Sequence, residues 1–420
     1  MQTYADMKDS GVAWLGKIPS SWPQKHARYL FRESKTLVGD KWGDYELLSL
    51  TLRGVIPRSE VEGGKNPEKY DSYQIVHDND LIMCLFDYDV TPRTVGRVTQ
   101  TGMLTGAYTN LKPYKGVSTR YYNYFFLSLD TTKELLHLCT GLRNGISKPV
   151  FFGLNLPFPD YVTQQKIADF LDTETAQIDN LIAKQERLLE LLEEKRRATI
   201  THAVTRGLNP GVELKETNIP WLGQIPAHWT LQKLGSLTRL VIGSTPSTQN
   251  SSDFDGDQIW VTIADMKSKK INKSKQMLTL NAVRNKNMEL VPKGSLLFSF
   301  KLSVGKVGYA DVDLYTNEAI AAFLPNYRVL SEFLYYAAQI YFVNEANINI
   351  YGAALFNQEL LKRVRVAYPE VDEQRTIVEY LDRHEEKTKE LKQKIQTQIT
   401  LLRERRTSLI SHAVTGKIKV

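Results

Sequence analysis

Cysteine is nearly absent: Cys84 and Cys139 are the only two in 420 residues. That excludes a disulfide framework and a cysteine-rich zinc site, and both thiols read as buried apolar side chains. No stretch approaches the ~18 consecutive apolar residues of a membrane span. The start, MQTYADMKDSG, has neither the charged nor the apolar part of a secretory leader, so a cytoplasmic protein is expected.

Catalytic signatures are missing as well. TGKIK near the C-terminus lacks the first glycine and the hydroxyl of a phosphate-binding loop. NLPF (155–158) departs at Leu156 from the Asn-Pro-Pro-aromatic motif of amino-methyltransferases, and no glycine-rich cofactor loop precedes it. PDYVTQQK would suit a nuclease only if a second acid stood where Gln164 does. His202 and His412 are the only histidines at equivalent places, and neither has an acid or a histidine one turn away in a ligand-like pattern. They read as helix-end residues near the C-terminal dipole, or as contacts to a partner subunit.

What is present is a positive charge divided into blocks. Residues 23–155 carry 17 basic and 14 acidic side chains (+3), 230–365 carry 16 and 11 (+5), and 163–219 carry 8 and 10 (−2). Two separated basic blocks suit a polyanion.

The chain is also written twice. WLGKIPSSW (14–22) returns as WLGQIPAHW (221–229), TQQKIADFLD (163–172) as EQRTIVEYLD (373–382), and EEKRRATITHAVT (193–205) as RERRTSLISHAVT (403–415). In the tryptophan phrase, glycine and proline enforce turns while the tryptophans and an isoleucine anchor, so it reads as a clip fixing where each variable block starts.

The shared segments have helical spacing. Ile167, Leu171, Ile178, Leu181, Leu188 and Leu192 in the first, and Ile377, Leu381, Leu391, Ile395, Leu402 and Leu409 in the second, give a coiled-coil seam, interrupted by Glu174, Gln185, His384 and Gln398. Thr163 and Asp372 are expected as caps, with Gly207, Pro210 and Gly416 as stops. Each rod of ~40 residues would be roughly 60 Å long.

The variable blocks alternate short β-rich runs with turn residues and read as mixed α/β domains. VGRV (95–98) resembles VGKV (304–307), and GAYTNLKP (106–113) resembles NEAIAAFLP (317–325), so one frame carries divergent loops.

Two β-rich blocks, each followed by the shared helix that runs from a proline through Leu-Asp to HAVT, resemble the specificity subunit of type I restriction–modification systems over nearly the whole chain. The resemblance implies an α+β chain with two target recognition domains, joined and separated by two long helices in an antiparallel coiled coil. It divides the chain into a first recognition domain with its tryptophan clip (1–155), a central helical spacer (156–219), a second recognition domain (220–365) and a C-terminal spacer (366–420).

Each domain would read one half of a bipartite duplex DNA target. Two methyltransferase subunits, and restriction/translocation subunits in the larger complex, would dock on it. The chain itself would hold no catalytic site, metal or cofactor, since S-adenosylmethionine, ATP and Mg belong to the partner subunits. An autonomous DNA-modifying enzyme and a coiled-coil nucleic-acid scaffold are the alternatives.

Base edges and phosphates call for Arg, Lys, Asn, Ser and Thr on loops. The candidates in the first block are Arg53, Arg58, Arg93 and Arg97, with Asp87 and Tyr88 on the same strand–loop edge. In the second block they are Ser244, Thr245, Ser247 and Thr248 of GSTPST, then Lys301, Ser303, Lys306 and Asn317 around the Gly-basic turn, and Lys267 of KSKKINKSK.

Overall fold

The computed structural model describes residues 3–63, 69–247, 249–301, 303–345, 347–348 and 354–420. The chain divides into two units, Met1–Glu186 with Gln396–Val420, and Arg187–Ile395. Two helices, Tyr161–Arg206 and Val371–Val414, run through that division, so each unit owns the beginning of one long helix and the end of the other.

In the first unit a four-stranded antiparallel sheet has the order Phe31–Glu33, Thr109–Pro113, Leu81–Met83, Val95–Arg97. Leu81, Met83 and Leu111 pack with Tyr121, Tyr122, Phe125 and Phe126 of the helix Thr119–Thr132. Ser118 caps that helix by accepting from the Tyr121 amide. Each fully buried aromatic of this kind contributes on the order of 2–3 kcal/mol.

The second unit has a five-stranded sheet in the order Leu240–Ile242, Ile320–Phe323, Leu296–Ser299, Val307–Ala310, Lys270–Ile271, the last strand pairing in parallel. Phe298 and Phe323 pack with Phe342 of the helix Ser331–Glu345.

The frame repeats, but not in the phase that VGRV and VGKV suggest. Val95 pairs with Met83 and Arg97 with Leu81, while Val307 pairs with Phe298 and Tyr309 with Leu296. VGR (95–97) is thus the counterpart of VGY (307–309), and the Gly-basic turn at 304–306 precedes the strand. The second likeness holds to its proline: Leu111 pairs with Leu81 as Phe323 pairs with Leu296.

The tryptophan phrases act as clips within their own units. Gly16 and Gly223 stand at φ +65 and +62, a backbone region costly for any residue with a Cβ. Trp22 and Trp229 are buried, and Trp229 Nε1 donates to Glu373 Oε1 at 3.1 Å.

The helix starts differ from expectation. Asp160, rather than Thr163, is the first cap, accepting from the Thr163 amide at 2.9 Å and its hydroxyl at 2.6 Å. Asp372 lies inside the first turn of its helix. Behind each start a glutamine is wholly buried. Gln164 accepts from the Ser118 amide at 2.8 Å and donates to the carbonyls of Pro159 (2.8 Å) and Gly116 (3.2 Å). Gln374 accepts from Leu330 (2.8 Å) and donates to Pro369 (2.8 Å) and Arg328 (2.7 Å). At the other ends Gly207 and Gly416 adopt φ +74 and +69 just past the last helical turn.

The seam is a 4,3 repeat that holds Leu171, Ile178, Leu192, Leu381, Ile395, Leu402 and Leu409 as expected, while three of the expected leucines stand one residue off it. Leu181, Leu188 and Leu391 are 47%, 42% and 39% exposed, while the neighbouring Ile182, Leu189 and Lys392 are part-buried. Of the expected polar interruptions Gln185 lies on this line, whereas Gln398 is exposed. In the first unit Arg406 holds Asp179 (2.8 and 3.1 Å) and Arg403 holds Glu186 (2.9 Å). In the second Arg196 holds Glu385 at 2.7 Å and Lys392 holds Glu193. Within each unit the partner numbers fall as the first helix advances, so the helices pair antiparallel.

Candidate nucleic-acid interface

In the second unit, sheet register brings three loops to one end. Ile242 pairs with Ala321, Ser299 with Ile320, and Phe298 with Val307. Loop 243–247, residues 300–301 and 303–306, and loop 317–319 therefore leave the sheet together. The Ser244 amide donates to the Thr316 carbonyl at 3.0 Å, and a Cβ on Gly243 would stand 1.8 Å from that oxygen, so only glycine permits this approach. Trp260 Nε1 donates to the Ser244 carbonyl at 3.1 Å, and the Thr245 hydroxyl donates to Glu318.

The Asn317 amide donates to the Val261 carbonyl at 3.1 Å, leaving its carboxamide at the loop, where Oδ1 accepts from Ala319 at 3.3 Å. Ser299 Oγ fixes the basic turn by donating to the Ser303 carbonyl (2.6 Å) and accepting from the Lys306 amide (2.9 Å). Lys306 Nζ reaches the Ile263 carbonyl at 3.0 Å, and exposed Lys301 lies 5.4 Å over the Phe300 ring. Ser244, Thr245, Ser303, Lys306 and Asn317 are thus collected, with Ser247 exposed on the same loop. Thr248 lies outside the described residues.

Lys267 belongs to a neighbouring loop, where it lines a concavity of about 280 Å³ with Lys270, Lys273 and Lys275. Asp265 organises that loop. Burial works to raise its carboxyl, but hydrogen bonds from Thr262 and the Lys275 amide hold it below the ordinary value. Lys269 turns away from the other lysines to Asp382, with its ammonium 4.7 Å over the Tyr336 ring.

In the first unit Arg53 tips the hairpin formed by Leu48–Thr51 and Gly54–Pro57, donating to the Glu60 carbonyl at 2.9 Å. Arg58 lies in the following turn and donates to the Gly63 carbonyl. Arg93 donates to the Leu52 carbonyl at 3.3 Å and stands 3.6 Å from buried Asp130. Burial pushes its guanidinium below the usual value, Asp130 opposes this, and the like charge of Arg406 adds to the lowering. Arg97 donates to Asn79 Oδ1 at 3.3 Å.

These arginines meet in one place. Arg53, Arg93 and Arg97 line a concavity of about 210 Å³ together with Arg120, Arg406 and Asp172. Arg58 lies outside its lining. Asp87 is elsewhere, held by both arms of Arg143, whose hydrogen bond keeps the carboxyl below its usual value.

Tyr88 does not belong to an interface. Its side chain is 1% exposed, packed in the core beneath the Lys133 ammonium at 4.8 Å. An aromatic five residues past a buried strand can close the core as readily as crown a loop, and here the core takes it. Sequence reasoning missed Arg120, Arg143 and Arg406. Arg120 and Arg406 sit on helical segments whose charges read as a solvated face, and nothing in their spacing marks them out.

Among the described residues no group of His, Cys, Asp and Glu is placed to hold a metal ion, and no helix is long and apolar enough to cross a membrane.

Residues 226–401 match the family described as type I restriction modification DNA specificity domain. The type I restriction enzyme MjaIX specificity subunit of Methanocaldococcus jannaschii is 31% identical over 179 residues, covering 40% of this chain and 41% of that protein. The chain thus spans less than half the length of that relative. The StySPI specificity subunit of Salmonella potsdam is 23% identical over 323 residues, 73% of this chain and 67% of that protein.

Two solved structures share the fold. One, from work on complex assembly and conformational transition of the type I R-M system, aligns at TM-score 0.74 with 13% identity, over 96% of this chain and 99% of that one. The HsdS subunit of Thermoanaerobacter tengcongensis aligns at 0.58 with 13% identity, over 98% and 100%.

Proposed function

We propose that this chain, whose residues 226–401 carry a type I restriction modification DNA specificity domain, is the DNA-specificity subunit of a type I restriction–modification complex. The observation that carries the reading is the repeated frame: each unit holds one sheet-and-helix scaffold, register for register, while the loops at its edge differ. A pair of readers for different half-sites needs that combination. The first recognition domain is 1–155 and the second 220–365, with 156–219 and 366–420 as helical spacers.

Arg53, Arg58, Arg93 and Arg97, with Asp87 at its edge, serve the first half-site. Ser244, Thr245, Ser247, Thr248, Lys301, Ser303, Lys306, Asn317 and Lys267 serve the second. The partners are duplex DNA, two methyltransferase subunits and, in the larger complex, restriction/translocation subunits. Catalysis resides in those partners, which carry S-adenosylmethionine, ATP and Mg, and the assembly works in the cytoplasm.

The test is to map methylated positions in DNA from cells carrying this chain with its methyltransferase, beside a variant lacking one heptad in each helix, Lys184–Glu190 and Lys394–Thr400. The deletion keeps the 4,3 phase. Removing seven residues at 1.5 Å shortens each helix by about 10 Å, roughly 3 base pairs of duplex. Both half-sites should persist with a shorter gap. Methyl transfer by the pure chain alone, or an unchanged gap at full efficiency, would sink the reading.

A further inference from the structure

The arginine concavity of the first unit has a counterpart in the second, and the two have been built in opposite ways. Tyr124 OH donates to Asp172 Oδ1 at 2.7 Å, and the Tyr336 hydroxyl donates to Asp382, which fixes the equivalence of the two packing helices. From that pair, Arg120 corresponds to Glu332 and Asn123 to Tyr335. Strand register makes Arg97 the counterpart of Tyr309, since each stands opposite a leucine, Leu81 or Leu296. Arg406 corresponds to Arg196 through the repeat.

In the second unit the place is filled. Tyr309 and Tyr335 have ring centroids 6.4 Å apart, Tyr335 and Tyr336 5.0 Å, and Lys269 lies 5.1 Å over Tyr335. Arg196 is engaged internally, donating to Glu385 (2.7 Å), Glu193 (3.2 Å) and Gln339 (3.2 Å). In the first unit the same place is a concavity of about 210 Å³ lined by five arginines and one acid, Asp172.

Arg53 and Arg97 stand 3.6 and 3.8 Å from the exposed carboxylates of Glu60 and Asp78, pairs that solvent screens, whereas Arg93 is paired with buried Asp130 at 3.6 Å. A guanidinium has five donors in a planar fork that fits phosphate oxygens. Arg120 is held by Asp172 and Asp169, and Arg406 by Asp179, so the lining guanidiniums least committed to carboxylates are those of Arg53 and Arg97, the pair that an entering anion would engage.

We infer that this concavity is a seat for one phosphodiester group of the DNA backbone, present in the first unit and closed by tyrosines in the second. Arg53, 62% exposed, stands at its rim, so a phosphate still joined to a polymer can enter. Arg120 and Arg406 come from packing and spacer helices rather than from recognition loops, so the contact is independent of base sequence. The inference rests on the DNA-specificity reading but adds to it an asymmetry: one unit grips the backbone at a place where the other does not.

The experiment measures duplex binding by the full chain assembled with its methyltransferase subunits, as a function of salt, for a duplex with the target and one without. For Arg53→Ala/Arg97→Ala the slope of log affinity against log salt should fall by ~1, with an affinity loss of about 3–30-fold, equal on both duplexes. Arg53→Ala alone, on an exposed hairpin tip, should give part of that loss with an unchanged melting temperature. Lys269→Ala, in the filled counterpart, should leave the slope unchanged.

An unchanged slope in both arginine variants would overturn the seat, as would a loss confined to the target duplex. So would stabilisation by inorganic phosphate alone, lost in the variants while the DNA slope stays the same. If the unaltered assembly binds no DNA, the specificity reading itself falls, and that result is distinct from the others.

Discussion

Tyr124 hands its phenolic hydrogen to Asp172 at 2.7 Å, and the same carboxylate takes the Arg120 guanidinium. The packing helix Thr119–Thr132 is thereby tied to the long helix by a tyrosine, an acid and a cation. The second unit repeats the device with Tyr336, Asp382 and Lys269. Burial first, and then Asp172, push the Tyr124 hydroxyl up to about 12, so it remains a donor throughout the neutral range. Tyr124→Phe is expected to cost about 1–2 kcal/mol in a urea unfolding midpoint. Asp172→Ala should cost more, because Arg120 then loses one of its two carboxylates and keeps only Asp169 at 2.8 Å.

Gln374→Leu should be more damaging than either. The side chain is wholly buried, and its removal leaves the Leu330 amide and the carbonyls of Arg328 and Pro369 without it. Each unsatisfied buried group costs ~1–3 kcal/mol, so a loss of about 3 kcal/mol or more is expected in chemical denaturation. Gln164→Leu should behave alike in the first unit. Losses under ~1 kcal/mol in both would refute this account of the helix starts.

Acid should loosen the helices in a defined direction. The Thr163 hydroxyl and amide hold Asp160 below its ordinary 3.8, and Lys392 holds Glu193 below its ordinary 4.5. A depressed folded value means the stabilisation is complete above the ordinary carboxylate range and is lost as pH falls through the lowered one. Both sites are mostly exposed, so each effect is small. Melting temperature plotted against pH should decline below about pH 4, and less steeply in Asp160→Asn, whose capping oxygen does not titrate.

Lys306→Ala tests the turn held by Ser299. If the ammonium neutralises a phosphate, affinity falls for every sequence and the salt slope drops by ~1. If it reads a base, discrimination relaxes by ~1–3 kcal/mol at one position of the second half-site. The first half-site should be unaffected. Methylation sequencing together with binding titrations separates these outcomes, and no change in either removes Lys306 from the interface.

The two-fold plan was legible because it was written in tryptophans, prolines and the Leu-Asp and HAVT phrases, residues whose geometry leaves few alternatives. The phase of the seam was legible at its ends and not in its middle. Leu188 and Leu189 adjoin, as do Leu191 and Leu192, so two apolar lines run one residue apart, and only the partner helix decides between Leu181 and Ile182.

VGKV matched VGRV in letters, yet the ladder puts VGY in that place, because hydrogen bonding counts residues from the strand opposite. Tyr88 was drawn to the surface by its neighbours and to the core by its ring. The arginine concavity draws on residues 53, 93, 97, 120 and 406, and no spacing rule connects a hairpin tip to a helix 353 positions later.

Sharing the long helices between the units also orders events during synthesis. The first unit's core includes Leu409, Ile410, Ala413 and Val414, and Tyr121 OH donates to the Val414 carbonyl at 2.7 Å. A Cβ on Gly416 would stand 2.4 Å from Pro19. Tyr121 therefore waits for a partner made 293 residues later. Such non-local closure is slow. During that wait Trp22, Tyr121 and Phe125 are only part-covered, which makes the nascent first unit the natural client of a chaperone and the step most vulnerable to truncation.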